Sequence, residues 1–274
     1  MNYHNDEWVM EQIQRHYNEA LKYYHPDRIV GVFCQGSTNY GLDTINSDID
    51  TKCIITPTFE EIAMNKKPVS TTHVLDNNEH LDAKDIRLYI QTFKKQNLNF
   101  LEILFTPYKI INPLYVDEWD RLIKWREDIA RMNPFRAVKS MKGIAMEKFH
   151  AMEHRYPSKV DIIDAYGYDG KQVSHLIRVD DYLERYINGE DYESCLHPTE
   201  EKVDKIVDYK MLDRISLAAA RIEAEEVLAH ATQIADEFCA KTSEVEDEAM
   251  RVLLDSVQYE IMKIAIKTEE DLWL

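Results

Sequence analysis

Residues 29–56 read IVGVFCQGSTNYGLDTINSDIDTKCIIT, and this stretch decides the fold of the N-terminal half. An apolar strand is followed by a Gly-Ser turn at 36–37 and by a second strand that begins with Asp48, Ile49 and Asp50. Because side chains along a strand alternate between its faces, Asp48 and Asp50 should project to one side, roughly 7 Å apart, with Ile49 in the core. Two carboxylates on one face suit hard divalent cations, and the turn offers backbone N–H groups to the phosphates that accompany such ions.

The composition is that of a globular protein, and it narrows the classes of function. The chain has 274 residues, of which 45% are hydrophobic, so it can bury a sizeable core. Its formal net charge of −17 argues against non-specific binding to DNA or RNA, which depends on neutralising phosphates with Lys and Arg. Four widely spaced cysteines form no C-x-x-C motif, which favours a reduced, cytoplasmic compartment. No run approaches the ~18 apolar residues of a membrane span, so no membrane association is expected.

The pattern of hydrophobic residues changes once, near residue 115. Before that point strands alternate with helices, which is typical of a mixed sheet with flanking helices. The predicted strands are 29–34, 48–56, 69–75 and 100–106, and the predicted helices are 6–24, a segment after Pro57 and one that begins near Asp85. After Pro113 the spacing is helical in 115–131, 134–155, 171–187, 199–240 and 246–267. We therefore predict an α+β fold, with an α/β domain over 1–114 and an all-helical domain over 115–274.

Three blocks of sequence resemble a known family. Gly36 and Ser37 precede the Asp-Ile-Asp motif by ten intervening residues, which is similar to h-G-[GS] followed by D-h-[DE] in the DNA polymerase β-like nucleotidyltransferase superfamily. More narrowly, GSTNYGLDTINSDID (36–50), KKQNLNFLEILFTP (94–107) and YGYDGKQVSHLIR (166–178) together resemble a bacterial and phage family of predicted nucleotidyltransferases with a helical C-terminal half. The first block is the most specific of the three.

The resemblance implies transfer of a nucleoside monophosphate from an NTP to an acceptor, with release of pyrophosphate and with two Mg²⁺ ions, or Mn²⁺, stabilising the charge. Asp48 and Asp50 would be catalytic metal ligands, whereas Gly36 and Ser37 would contact the β- and γ-phosphates. Tyr40, close to the turn, would stack on the base. The acceptor stays open, because an RNA end, a protein hydroxyl and a small molecule are all compatible with this chemistry.

Members of the superfamily usually add a third carboxylate from a neighbouring strand, and three residues are candidates. We expect Glu102 to be this catalytic metal ligand, because it interrupts the apolar segment FLEILFT (100–106), where an unpaired acid would be costly to bury. Asp82 and Asp85 are the alternatives, since they lie nearer in sequence to where simpler members place the acid. Asp85 also has an ordinary explanation as the N-cap of the helix that follows it.

Basic residues of the helical half are candidates for contacts with the nucleotide. Lys171, His175 and Arg178 recur at i, i+4 and i+7, so they share one helix face that would present hydrogen-bond donors to phosphates. The alternative is a solvated face whose charges pair with the acidic residues at 180, 181 and 184. A second candidate group lies on the preceding helix and consists of Lys139, Lys142 and Lys148.

Two other functions fit the same sequence. The fold would also serve to bind an NTP without turnover, as a sensor or a regulatory module. Alternatively, the helical half would be the main functional element, as a scaffold for protein interactions. The presence of both aspartates in the motif favours the enzyme, so a metal-dependent nucleotidyltransferase is the leading hypothesis.

Overall fold

A mixed sheet occupies the N-terminal half, as predicted, and it contains five strands. The computed structural model describes residues 3–45, 47–211 and 214–271. The strands are β1 (Ile29–Gln35), β2 (Asp50–Ile55), β3 (Ser70–Val74), β4 (His80–Asp85) and β5 (Lys109–Ile111). Their order across the sheet is β3-β4-β2-β1-β5, with β2 and β4 parallel and the other neighbouring pairs antiparallel. Strand β2, which begins at Asp50, therefore lies in the middle of the sheet.

Helices make up most of the remaining structure. The sheet is accompanied by α1 (Asp6–Ala20), α2 (Phe59–Ala63), α3 (Ile86–Lys94), α4 (Leu98–Leu101), α5 (Val116–Lys124) and α6 (Arg126–Ala130). The helices that follow are α7 (Pro134–Ala151), α8 (Val160–Tyr166), α9 (Gly170–Ile187), α10 (Tyr192–Leu196), α11 (Glu200–Lys210), α12 (Leu217–Lys241) and α13 (Glu248–Asp271). Within the described ranges, none of these helices combines the length and the apolar character that crossing a membrane requires.

Helix α1 covers one face of the sheet. The Asn5 side chain caps the helix by accepting a hydrogen bond from the backbone N–H of Trp8. Val9 and Ile13, four residues apart, are fully buried in a core that includes Val32 and Cys53 of the sheet. Burying aliphatic side chains of this size stabilises the fold by about 1.5 to 3 kcal/mol each.

The opposite face of the sheet is covered by helices from both ends of the chain. The Phe33 ring of β1 packs on the Trp119 ring of α5, with 4.4 Å between ring centroids. Helix α3 buries Tyr89 and Phe93, and α13 packs against both α3 and α5. The last helix therefore packs on helices α3 and α5, although it is distant from them in sequence.

The chain forms two compact units. One consists of residues 1–132 together with 246–274, and the other of residues 133–245. This division does not coincide with the boundary predicted after residue 114, because α5, α6 and α13 belong to the unit that contains the sheet. The assignment of two domains stays a prediction.

Helix α9 is the central element of the unit formed by residues 133–245. It packs against α7, α10, α11 and α12. Asp169 caps its first turn by accepting a hydrogen bond from the backbone N–H of Lys171, and Leu176 and Tyr182 are fully buried within the unit. The helical character predicted for this part of the chain is confirmed.

The prediction of a strand over residues 100–106 is wrong. This segment forms the end of α4 and a 3-10 turn over 102–104, and the edge strand of the sheet is β5 instead. The Asn97 side chain caps α4 by accepting a hydrogen bond from the backbone N–H of Asn99. The buried residues Leu98, Leu101 and Leu104 then recur every three positions, which is helical and not strand spacing.

Other predicted boundaries also change. The helix predicted over 199–240 is two helices, α11 and α12, and Ser216 caps the second by accepting a hydrogen bond from the backbone N–H of Ala219. The break contains neither Gly nor Pro, so no local signal predicts it. Strand β4 was not predicted, because only Leu81 and Ala83 supply an apolar alternation within it.

Gly31 tests the packing of the edge strand. A Cβ atom at this position would lie 2.9 Å from the carbonyl oxygen of Ile110 in β5 and 2.9 Å from the ring of Phe33, so β5 would have to shift. We expect Gly31→Ala to lower the free energy of unfolding by about 1 to 3 kcal/mol. Tryptophan fluorescence during urea unfolding reports on this unit, because all four Trp residues belong to residues 1–132 and 246–274. Ser70→Ala, which changes an exposed residue of β3 in the same unit, is the control, and equal unfolding midpoints for Gly31→Ala and the wild-type protein would contradict the expectation.

Candidate active site

The Gly-Ser turn and the Asp-Ile-Asp segment lie next to each other because β1 and β2 are antiparallel. Gln35, the last residue of β1, pairs with Asp50, the first residue of β2. The turn that follows Gln35 is therefore adjacent to the start of β2. Ile49 is fully buried, Asp50 is half-buried and Asp48 is exposed. The strand begins two residues later than predicted, so Asp48 belongs to the segment that leads into it.

The turn after β1 has a conformation that requires glycine. Gly36 has φ +91° and ψ −155°, which is a region that side chains with a Cβ rarely adopt. Ser37 is half-buried and begins a 3-10 turn that ends at Tyr40. The Asn39 side chain holds the turn in place through two hydrogen bonds. Its amide N–H donates to the carbonyl oxygen of Cys34, and its Oδ1 accepts from the Thr106 hydroxyl at 2.6 Å. The turn is thus held rigidly against neighbouring segments.

Glu79, just before β4, and His80, its first residue, hold the Asp-Ile-Asp segment in place by hydrogen bonds. The backbone N–H and the Nδ1 of His80 lie 2.8 Å and 3.1 Å from Oδ1 of Asp50. Glu79 accepts a hydrogen bond from the backbone N–H of Ile49 at 3.3 Å. The side chain of Asp50 and the backbone on which it sits are therefore both fixed by neighbours.

A buried polar network supports this arrangement from the face that α1 covers. His16 lies between the Thr51 hydroxyl, 2.8 Å from its Nδ1, and Oε2 of Glu79, 2.9 Å from its Nε2. Arg15 also pairs with Glu79. Burial opposes ionisation of Glu79, but hydrogen bonds from His16, Asn77 and Ile49 and the charge of Arg15 outweigh it and lower its pKa to about 2. Glu79 is therefore a carboxylate throughout the physiological range.

A lysine lies on the same face of the sheet as Asp50. Lys52 follows Asp50 by two residues in β2 and pairs with Phe33, so it projects toward the side that carries α3 and α4. Its side chain is 5% exposed, and its Nζ lies 3.3 Å from Oε1 of Glu102, which is equally buried. Burial lowers the pKa of Lys52 to about 7, the charge of Asp82 limits this decrease, and Lys84 adds to it. Glu102 is thus part of a buried ion pair and not an isolated acid.

The two alternatives for the third carboxylate differ in position. Asp82 lies opposite Lys52 in the parallel pair of β2 and β4, and its Oδ2 accepts a hydrogen bond from Lys84 at 2.6 Å. Asp85 caps α3 and binds Arg87 through both carboxylate oxygens. The capping role that the sequence suggested for Asp85 is confirmed. Both Glu102 and Asp82, the two acids near Lys52, are engaged by lysine.

The residues present fit one divalent cation better than a larger cluster. Within the described part of the chain, no hydrogen bond engages the carboxylate of Asp48 or Oδ2 of Asp50. Such carboxylate oxygens are the ligands that Mg²⁺ prefers. No group of three His, Cys, Asp or Glu side chains that would hold a metal ion occurs in residues 3–45, 47–211 and 214–271. Metal binding by Asp48, Asp50 and Glu102 together stays a prediction.

The other predicted nucleotide contacts are mostly buried. Tyr40 is 5% exposed, so its ring belongs largely to the core. Lys171 is exposed on α9, whereas Arg178 is 5% exposed. Burial and the charges of Arg178 and Lys148 lower the pKa of His175 well below its ordinary value, so its ring is neutral near pH 7. That these residues contact a nucleotide stays a prediction. Lys171 is the one of the three on α9 whose charge is exposed.

Two lysines of the second group, Lys139 and Lys142, line a cavity of about 470 Å³ between α7 and α12, whereas Lys148 pairs with its neighbour Glu147. Lys142 pairs with Asp236 at 2.6 Å, and the Lys139 ammonium lies 5.2 Å from the centre of the Phe135 ring. The Lys139 and Lys142 side chains therefore both have partners within residues 133–245. The cavity is lined by neither the Asp-Ile-Asp segment nor the Gly-Ser turn.

Sequence reasoning missed Lys52, Glu79 and His80. Lys52 had a signal, because a lone basic residue in the apolar strand TKCIIT is as unusual as a lone acid in FLEILFT. Glu79 and His80 had none, because their roles depend on β4 pairing with β2. That pairing is a tertiary contact between distant segments, and the local sequence of β4 is largely polar.

Comparison with solved structures finds the nucleotidyltransferase-like protein from Exiguobacterium sibiricum 255-15. The two chains are 13% identical, the match covers 85% of this chain and 77% of the other, and the TM-score is 0.31. No family model and no curated protein matches the chain. The similarity between this chain and that nucleotidyltransferase-like protein is therefore distant.

Proposed function

We propose that the protein is a nucleotidyltransferase that depends on a divalent cation. It would transfer a nucleoside monophosphate from an NTP to an acceptor and release pyrophosphate. The observation that supports this proposal most directly is the pairing of Gln35 with Asp50, which sets the Gly36–Ser37 turn beside two carboxylates. The resemblance of this motif to the polymerase β-like superfamily gives the reaction class.

The chain's own residues have distinct roles in this proposal. Asp48 and Asp50 hold the cation, which when bound supplies positive charge next to the phosphates. Ser37 and the backbone of the turn hold phosphate oxygens of the donor. His80 keeps Asp50 in one orientation by donating to its Oδ1. The oxygen of the acceptor hydroxyl then bonds to the α-phosphorus as the bond to the bridging oxygen breaks. The hydroxyl proton passes to solvent water, and pyrophosphate leaves with the negative charge.

Transfer of label tests the proposal. The protein is incubated with each NTP labelled at the α-phosphate, with Mg²⁺ or Mn²⁺, and with separate pools of RNA, proteins and small molecules as acceptors. We expect label to enter at least one pool with the wild-type protein and not with Asp48→Asn. Glu11→Gln is the matched control, because it removes an exposed carboxylate from α1. If the wild-type protein transfers no more label than Asp48→Asn in any pool, the proposed reaction is wrong.

An NTP-binding module without turnover is the second candidate. Glu102 and Asp82, the candidates for the third metal ligand, are both paired with lysines. Either acid would have to break its ion pair before it bound a metal ion, which favours binding without turnover. Calorimetry separates the two candidates. Tight NTP binding without any release of pyrophosphate, in the presence of every acceptor pool, would support the binding module.

A further inference from the structure

The carboxylates near Asp50 are already balanced in part by lysines. Glu102 and Lys52 are both almost fully buried, and their Oε1 and Nζ atoms lie 3.3 Å apart. Charged groups in such surroundings require a partner, because neither can be solvated by water. Lys52 is therefore held within ion-pair distance of the acid that was expected to bind metal.

The other nearby acid is balanced in the same way. Asp82 accepts a hydrogen bond from Lys84 at 2.6 Å through Oδ2 and one from the Thr72 hydroxyl at 3.3 Å through Oδ1. The two lysines share a neighbour as well, since the Phe100 ring centre lies 5.2 Å from Nζ of Lys52 and 4.7 Å from Nζ of Lys84. The electron-rich ring face stabilises positive charge at both positions.

The charges of this cluster fit a single divalent cation. When all six groups are ionised, Asp48, Asp50, Asp82 and Glu102 carry four negative charges, and Lys52 and Lys84 carry two positive charges. The remaining two negative charges lie with Asp48 and Asp50, which lack a lysine or arginine partner among the described residues. One divalent ion would neutralise them, whereas a second would be placed next to two ammonium groups.

We propose that this site binds one divalent cation at Asp48 and Asp50, and that Lys52 supplies the positive charge that a second ion provides in two-metal sites. The inference rests on the proposed function for the presence of the first ion. It replaces the expectation of two ions with a site that contains one ion and a lysine. Glu102 is then a positioning residue, because it holds the Lys52 ammonium beside the sheet and does not bind the metal.

Binding of Mn²⁺ to the full chain tests this proposal. Equilibrium dialysis gives the number of ions per chain, with Mn²⁺ alone and with an equal mixture of the α,β-methylene analogues of the four NTPs. Electron paramagnetic resonance gives an independent measure, because two Mn²⁺ ions ~3.5 to 4 Å apart are magnetically coupled and a single ion is not. We expect one strongly bound ion per wild-type chain, after subtraction of ions bound to free analogue, and no coupled spectrum.

Variants of Lys52 distinguish its charge from its packing. Lys52→Met keeps a long apolar side chain and removes the lysine partner of Glu102, so we expect a second Mn²⁺ to bind and a coupled spectrum to appear. Lys52→Arg keeps the charge and should bind one ion. If Lys52→Met does not fold, Lys84→Met, which frees the partly exposed Asp82, provides the same comparison.

Two ions per wild-type chain, or a folded Lys52→Met protein that still binds one, would overturn the inference. Absence of Mn²⁺ binding by the wild-type protein would overturn it too. None of these results decides the proposed function, which depends on label transfer by the wild-type protein compared with Asp48→Asn. A protein that transfers label with two bound ions would retain the function and lose the inference.

Discussion

Asn in place of Asp50 is expected to slow nucleotidyl transfer by about 1000-fold or more, which corresponds to about 4 kcal/mol of lost transition-state stabilisation. The reason is electrostatic. Asn keeps an oxygen at the position of Oδ1, so it still accepts the hydrogen bond from the His80 backbone, which is 2.8 Å long. It removes the negative charge that would hold the cation. The free energy of unfolding should therefore change by only about 1 kcal/mol or less.

Transfer of α-phosphate label and urea unfolding are measured on the same preparations. Asp50→Ala is the informative comparison, because it removes both the charge and the acceptor for His80, so it should lose transfer and also stability. Glu11→Gln should retain both. Transfer by Asp50→Asn at more than a tenth of the wild-type rate would mean that this carboxylate does not act in catalysis. A large loss of stability in Asp50→Asn would instead indicate a structural role.

The parts of the fold that were predicted correctly have strong local patterns. The segment 29–34 is continuously apolar, as expected for a central strand, and β1 extends over Ile29–Gln35. The second strand was predicted from a similar apolar pattern, and Cys53 and Ile55 within it and Ile49 just before it are buried. The Gly-Ser turn predicted at 36–37 follows β1, and in the structure Gly36 adopts a positive φ, which favours glycine. The motif and its pairing therefore follow from sequence that is local to them.

The parts that were missed depend on contacts between distant segments. The segment 100–106 is apolar on several sides, so its strand-like composition could not be separated from a short helix without its cap at Asn97. Glu102 was correctly recognised as a buried acid that needs a partner, and in the structure it pairs with Lys52, which a local pattern could not reveal. The return of α13 to the sheet is likewise decided by packing on α3 and α5, which no local pattern encodes.

Glu79 connects α1 to the Asp-Ile-Asp segment, and it explains how the site is held in place. Its Oε2 accepts from His16, and its Oε1 accepts from the backbone N–H of Ile49. His16 in turn contacts the Thr51 hydroxyl at 2.8 Å. The carboxylate therefore fixes the residue between the two aspartates and, through His16, the first residue after them. This network should contribute to stability in a way that depends on pH.

The pKa of Glu79 is lowered to about 2 in the folded protein, compared with an ordinary value of 4.5. A group whose pKa is lower in the folded state contributes stability that is complete above its unfolded pKa and is lost as the pH falls toward its folded pKa. We therefore expect about 2 to 3 kcal/mol of the free energy of unfolding to disappear between about pH 4.5 and pH 2 because of this group.

Glu79→Gln isolates this contribution from that of the other acids. The amide can still accept from Ile49, but it carries no charge for Arg15 and His16. Near pH 7 the variant should be about 2 to 3 kcal/mol less stable than the wild-type protein, and the difference should shrink as the pH falls toward 2. Tryptophan fluorescence during urea unfolding, repeated across this range, measures the difference for the unit that contains the sheet. Glu11→Gln should show no such trend, and a gap between Glu79→Gln and wild type that is the same at every pH would mean that Glu79 is not stabilised as a carboxylate.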